Sequence, residues 1–225
     1  MRCFPDSSIA APTEEGAGRR EARGRISCSP WPSIRVLAWS STGATPSGLY
    51  KSTDGGATWV QSLVPSLADP GVSAVVVDPT HPTTVYAGGR SDVFRSDDAG
   101  DHWVMTSAFL NQFSTGIAAL AVDFQFPSTL YAVTGGFTFE GHVYRTNDRG
   151  ATWSKLDVAG ADGVVAIDPG SPSSVYLGLA TGEPEFKGGF IKSTDGGASW
   201  SPVGAPLFSF HVFDFAFERG RPGVF

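Results

Sequence analysis

After about residue 30 the apolar positions fall in short runs separated by Gly, Pro, Asp and Ser, and the runs return in a fixed order. VSAVVVDPTHPTTVYAG from Val72, IAALAVDFQFPSTLYAV from Ile117 and GVVAIDPGSPSSVYLGL from Gly163 are copies of one phrase. Its register is strict: Asp78 to Tyr86, Asp123 to Tyr131 and Asp168 to Tyr176 are each eight residues apart, with Pro82, Pro127 and Pro172 four after the Asp. The phrase predicts two strands. Strand A is the nearly continuous apolar run before the Asp, expected innermost and buried on both faces; strand B is the TTVYAG segment. A third strand, C, is read from DVFRS and HVYRT, and a fourth, D, starts at or near a tryptophan that follows. Trp59, Trp103, Trp153 and Trp200 are 44, 50 and 47 residues apart, a period that means solenoid, propeller or array.

Between C and D stands a nonapeptide: KSTDGGATW at 51–59, RSDDAGDHW at 95–103, RTNDRGATW at 145–153 and KSTDGGASW at 192–200. Its residue types suit a self-contained hairpin joint. The Asp accepts hydrogen bonds from the amides ahead of it, Gly supplies a positive φ, and the Ser or Thr two before the Asp ties its hydroxyl into the same loop. The Trp then folds back to bury its ring. Ser52, Asp54, Gly56 and Trp59 form one such set; Ser96, Asp98, Gly100 and Trp103 a second. Thr146, Asp148, Gly150 and Trp153 form the third, and Ser193, Asp195, Gly197 and Trp200 the fourth. In the second set Asp101 and His102 replace the usual small and hydroxyl residues. These residues resemble the Asp-box, or BNR repeat. The resemblance covers roughly residues 30 to 225 and implies a β-propeller like those of sialidases, xyloglucan-cleaving glycosidases, sortilin-type receptors and photosystem II assembly factors. In that group the box is a fold element remote from the active face.

The expected fold is therefore all-β, with four-stranded antiparallel blades and about four blades present. IRVLAWS, GLYKS and TWVQS supply B, C and D of a first blade, and HVFDFAFERGRPGVF supplies a further strand A with Glu218 in the Asp position. That segment either completes the first blade of a closed four-bladed ring or begins another blade of a larger propeller, and an open arc is the expectation. Residues 1 to 29 read as a disordered leader and 30 to 225 as the repeat domain.

Composition narrows the function. With 28 Gly, 16 Pro and 17% charged residues the chain is turn-rich, and a net charge of −6 argues against a nucleic-acid partner. No apolar run is long enough for a membrane span. Cys3 and Cys28 lie outside the repeats, so neither a disulfide framework nor a Cys-x-x-Cys metal set is expected. His81, His102, His142 and His211 share no ligand spacing and read as exposed loop residues, while Asp97, Asp98 and Asp101 read as solvated turn carboxylates and not a calcium loop. No cofactor or metal is expected. Secretion is implied by the resemblance alone.

Variable length points to a binding face. From the strand B Tyr to the box Trp the distances are 17, 22 and 24 residues, so the B–C loops differ while the A–B turns and the boxes do not. The D–A loops emerge on the same face. Together these loops hold Phe109, Asn111, Phe113, Phe137, Phe139, Glu140, Glu183, Glu185, Phe186 and Lys187. Aromatics beside carboxylates and amides suit sugar rings or a protein partner; the alternative is that the phenylalanines only anchor the loops. The leading expectation is a non-catalytic propeller binding a protein or polysaccharide there. Glu140 with Glu183 or Glu185 would be the carboxyl pair of a glycoside hydrolase fragment, the second expectation. An assembly factor of the photosystem type is the third.

Overall fold

The computed structural model describes residues 35–37, 49–52, 57–58, 60–62, 72–89, 92–106, 116–135, 141–158, 161–179 and 189–203, with Val212, Phe215 and Phe217. Among the described residues fifteen strands make four antiparallel sheets in chain order. The first sheet holds β1 (Arg35–Leu37), β2 (Leu49–Ser52) and β3 (Val60–Ser62), the second β4 (Ala74–Val77), β5 (Val85–Gly88), β6 (Val93–Ser96) and β7 (Val104–Met105). The third holds β8 (Ile117–Val122), β9 (Leu130–Thr134), β10 (Val143–Thr146) and β11 (Ser154–Lys155), the fourth β12 (Ala161–Ile167), β13 (Val175–Leu179), β14 (Phe190–Ser193) and β15 (Ser201–Val203). Each strand pairs with its sequence neighbour, as the A–B–C–D reading expects. Among the described residues the first sheet has only three strands, corresponding to B, C and D.

The register repeats as strictly as the sequence does. Val76 pairs with Tyr86, Ala121 with Tyr131 and Ala166 with Tyr176. On the other side Tyr86, Tyr131 and Tyr176 pair with Arg95, Arg145 and Lys192. Every strand B tyrosine therefore stands across from the basic residue that opens the nonapeptide.

The core lies between sheets, not within one. Val75, Val77, Val85 and Ala87 of the second sheet pack toward Leu49 of the first, whereas Ala74, Val76 and Tyr86 pack toward Leu120, Val122 and Leu130 of the third. Ala119, Tyr131 and Val133 in turn pack toward Val165, Ile167 and Val175 of the fourth. Because strand side chains alternate, each inner strand sends one set of residues to the sheet before it and the other to the sheet after it. The innermost strands β4, β8 and β12 also contact one another in succession.

The expectation for strand A holds in part. Ile117, Ala119, Leu120 and Val122 of β8 are buried, Ala119 toward the fourth sheet and the others toward the second, whereas all four residues of β4 are half-buried; strand B is the more completely buried, for every residue of β5, β9 and β13 is so. Strand B is hydrogen-bonded along both edges and covered by a neighbouring sheet on each face; strand A has one unpaired edge.

Phe215 and Phe217 extend the series. Their rings lie 5.9 and 5.5 Å from that of Tyr176. Two residues of the next strand A stand in this relation to Tyr86 (Leu120 and Val122) and to Tyr131 (Val165 and Ile167). Phe215 and Phe217 thus meet the fourth sheet where residues of the next strand A meet the sheets before it.

Candidate functional site

The sheets have two unlike ends. At one end the A–B turn and the nonapeptide are locked together. Asp78, Asp123 and Asp168 are buried at the ends of β4, β8 and β12. In the first two the Oδ1 accepts from the amides two and three residues ahead: Thr80 and His81 at 2.8 and 3.0 Å, Gln125 and Phe126 at 2.8 and 3.0 Å. Asp168 Oδ1 accepts from the Gly170 amide at 2.9 Å. The nonapeptide is then fastened to this turn, because the amides of Ala99, Arg149 and Gly196 donate to the carbonyls of Thr83, Ser128 and Ser173.

Within the nonapeptide the expected joint is present in all three described copies. The hydroxyls of Ser96, Thr146 and Ser193 donate to the Oδ1 of Asp98, Asp148 and Asp195 at 2.7 to 2.8 Å. The hydroxyl oxygens of Ser96, Thr146 and Ser193 in turn accept from the amides of Gly100, Gly150 and Gly197. The Asp carboxylates also accept from the backbone and side chain of His102, Thr152 and Ser199. Two successive residues carry positive φ: Ala99 and Gly100 at 62° and 93°, Arg149 and Gly150 at 61° and 88°, Gly196 and Gly197 at 71° and 95°. That is the dihedral pair of a hairpin type I′ turn. Trp103 and Trp153 are buried, and the indoles of Trp103 and Trp200 donate to the carbonyls of Gly100 and Gly197 at 3.1 Å. Of the first copy, Asp54, Gly56 and Trp59 lie outside the described residues, while Ser52 is buried at the end of β2.

These carboxylates are poor candidates for acid–base chemistry. Hydrogen bonds from the Thr146 hydroxyl and from Thr152 lower the Asp148 carboxyl to about 2, and equivalent bonds from His102 and Ser199 lower Asp98 and Asp195 as well. A general acid needs a pKa near the working pH. The acidic cluster is engaged likewise: Asp97 Oδ1 accepts from Thr84 and Arg95, and Asp101 from Lys51. Among the described residues no group of His, Cys, Asp and Glu is placed to hold a metal ion. His81 and His102 are exposed as expected, but His142 is half-buried and stacked 6.4 Å from Tyr144; His211 lies outside the described residues.

At the opposite end the structure describes the bases of the variable loops. Gly89 donates to the Asp92 carbonyl, Thr134 to that of His142, and Leu179 to that of Gly189, so the B–C loops of the second, third and fourth sheets are each closed by a backbone hydrogen bond where they leave the sheet. Phe109, Asn111, Phe113, Phe137, Phe139, Glu140, Glu183, Glu185, Phe186 and Lys187 all lie outside the described residues. A cavity of about 380 Å³ lies beside the second nonapeptide, between Lys51, Gln61 and Ser62 on one side and Gly100 and Asp101 on the other.

No family model matches the chain. It is 35% identical over 103 residues to a xyloglucanase of Hypocrea jecorina, covering 39% of this chain and 12% of the relative. To the xyloglucanase Xgh74A of Acetivibrio thermocellus it is 28% identical over 166 residues, covering 64% and 19%. The chain therefore spans under a fifth of these curated relatives. Among solved structures, the GH74 xyloglucanase from Xanthomonas campestris superposes with a TM-score of 0.64 at 20% identity, over 82% of this chain and 30% of that one. A structure of YCF48 bound to a D1 peptide gives 0.52 at 18% identity, over 76% and 51%. The fold is a β-propeller. Its sheets are blades, and the locked end and the loop end are the two faces of the propeller.

Sequence reading missed one feature of this propeller. In the third blade's A–B turn, Phe124 and Phe126 are 60% and 62% exposed. The other two described A–B turns have Pro79 and His81, or Pro169 and Ser171, at these places. The signal was present in the phrase DFQFPS, but matching three phrases by their shared Asp and Pro treats the residues between as filler.

Proposed function

We propose that the protein is a non-catalytic glycan-binding propeller that grips a xyloglucan-type polysaccharide through its variable-loop face. The observation that carries the reading is the division of the blades into an end consumed by its own hydrogen bonds and an end whose loops differ in length from blade to blade. A repeat protein recognises one ligand with many blades by changing loops while the joints stay constant. The curated relatives reported above are xyloglucanases by name, and this selects the polysaccharide among ligands that aromatic and carboxylate loop residues suit. Phe137 and Phe139 are the stacking candidates and Asn111, Glu140 and Lys187 the hydrogen-bonding ones. Electrophoresis in native gels with and without xyloglucan tests the assignment. Retardation of the parent, with a loss of about tenfold in affinity on combining Phe137→Ala and Phe139→Ala, is the expected result. Equal migration in both gels would overturn it.

The same names favour a second reading, in which the propeller is part of a glycoside hydrolase. Two carboxyl groups about 5 to 9.5 Å apart are then needed, and Glu140 with Glu183 or Glu185 are the candidates. Turnover of xyloglucan abolished by Glu140→Gln or Glu183→Gln would convert the first reading into the second. Binding of a peptide and not of a glycan would favour the assembly-factor reading.

A further inference from the structure

We infer that Phe124 and Phe126 form a second contact for the neutral polysaccharide, on the face of the propeller opposite the variable loops. The inference takes its ligand class from the proposed function but rests on a separate set of observations. The turn has no structural need of phenylalanine. Asp123 Oδ1 accepts the amides of Gln125 and Phe126 at 2.8 and 3.0 Å, just as Asp78 Oδ1 accepts those of Thr80 and His81 in the preceding blade. The closing bonds, Asp123 N to Thr129 O and Thr129 N to Phe126 O, also have their equivalents at Asp78–Thr84 and at Asp168–Ser174. Three turns therefore share one backbone, and one of them exposes two aromatic rings where the others carry Pro, His and Ser. Val60 and Val104 are as exposed, but two phenylalanines in one turn, absent from its two counterparts, make a larger local apolar surface open to contact.

The turn is also held in place. Gln125 Nε2 donates to the Pro169 carbonyl of the next blade at 3.1 Å, so the residue between the two phenylalanines is tied across the blade boundary. A ligand meeting these rings finds them on a fixed support, which lowers the ordering cost of binding.

Area and charge choose the ligand. With an aromatic side chain presenting about 150 to 250 Å², two rings exposed by 60% and 62% offer roughly 250 Å² together. A stable protein interface takes about 800 Å² from each partner, so this patch falls well short of one. It is enough to stack on one or two sugar rings. Residues 124–129, and the Pro169–Gly170–Ser171 turn that Gln125 touches, carry no charged side chain, and Arg149, whose amide meets the Ser128 carbonyl, places its guanidinium 3.9 Å from the Asp78 carboxylate of the preceding blade. A nucleic acid or an anionic lipid surface would call for Lys or Arg there. An uncharged glycan needs none, and an amide, hydroxyls and exposed carbonyls supply its hydrogen bonds.

The test uses turn residues already proven within this chain. Combining Phe124→Pro with Phe126→Ser copies the turn at Pro169 and Ser171, and combining Phe124→Tyr with Phe126→Tyr keeps the rings. In native gels containing polymeric xyloglucan the first variant is expected to bind about tenfold more weakly than the parent, with an unchanged thermal midpoint, and the second to bind as the parent does. Parent-like retardation of the Pro/Ser variant would overturn the inference. Loss in the Pro/Ser variant with no loss in the Phe137→Ala, Phe139→Ala variant would sustain it while removing the loop-face reading. A parent that xyloglucan does not retard would end both, as would Phe124-dependent sedimentation with phosphatidylcholine vesicles in place of glycan binding.

Discussion

At the scale of single residues, the nonapeptide works by filling one carboxylate with donors. Asp148 accepts from the Thr146 hydroxyl at 2.7 Å, the Thr152 amide at 2.8 Å and the Thr152 hydroxyl at 2.5 Å. All three bonds favour the charged form, the Thr146 bond most, and they take the carboxyl from its ordinary value near 4 to about 2. Because the folded group is the stronger acid, its contribution to stability is complete above about pH 4 and is lost as pH falls through about 2. The thermal midpoint of the parent should stay level from neutral pH to about 4.5 and then fall. Asp148→Asn should lower the midpoint at pH 7, and the gap from the parent should narrow as pH approaches 2; a gap independent of pH would mean that titration of this group plays no part. A different constraint acts at Gly141, at the base of the third blade's B–C loop. A Cβ there would stand 1.8 Å from the Ala161 carbonyl oxygen and 2.8 Å from that of Thr134, both backbone atoms that move only with their strands. Gly141→Ala should cost roughly 2 to 3 kcal/mol in urea unfolding, the upper part of the range for overpacking.

At the scale of the element, the nonapeptide is also a latch between blades. Its basic first residue reaches into the nonapeptide of the following blade: Lys51 Nζ donates to Asp101 Oδ1 at 2.8 Å, Arg95 to the Arg149 carbonyl at 3.4 Å, and Arg145 to the Gly196 carbonyl at 3.1 Å. The strand B tyrosine opposite adds to the last of these, Tyr131 donating to Gly196 O at 2.9 Å, with the Arg145 guanidinium 5.7 Å from its ring. That the basic residues Lys51, Arg95, Arg145 and Lys192 open the nonapeptide, and that the strand B tyrosines recur in register, was legible in the sequence. What could not be read was the direction in which they act, because a repeat shows that positions are equivalent without showing which copy they touch. Arg145→Leu should destabilise by about 1 to 2 kcal/mol, since a charge-assisted bond is lost while Gly196 O keeps the tyrosine. Lys192→Leu should cost under about 1 kcal/mol, for the Lys192 ammonium lies 5.1 Å from the Tyr176 ring in a half-buried cation–π contact. Equal losses in the two variants would remove the latch from the account.

At the scale of the molecule, legibility followed repetition. Strand order, register and joint were readable because each was written several times, so that chance similarities cancelled and shared residues such as Asp78, Asp123 and Asp168 stood out. The loop residues from Phe109 to Lys187 are written once each, with no copy to calibrate them, and Phe124 and Phe126 were hidden inside a phrase that looked constant. Strand A was expected to be buried on both faces, which β8 is and the half-buried β4 is not; that burial is fullest in strand B was not legible, because periodicity in one strand reports its own faces, whereas double-sided burial is conferred by sheets distant in the chain. That same arrangement predicts how the propeller opens. Each core cluster straddles two blades, so no blade can release its strand B without exposing its neighbour's, while β7 and β11 are exposed and paired along a single edge. Amide exchange should therefore be slowest in β5, β9 and β13, with similar opening free energies in all three, and fastest in β7 and β11. Independent opening of single blades would appear instead as three distinct free energies for the three B strands, and would mean that the joints, and not the shared cores, hold the propeller together.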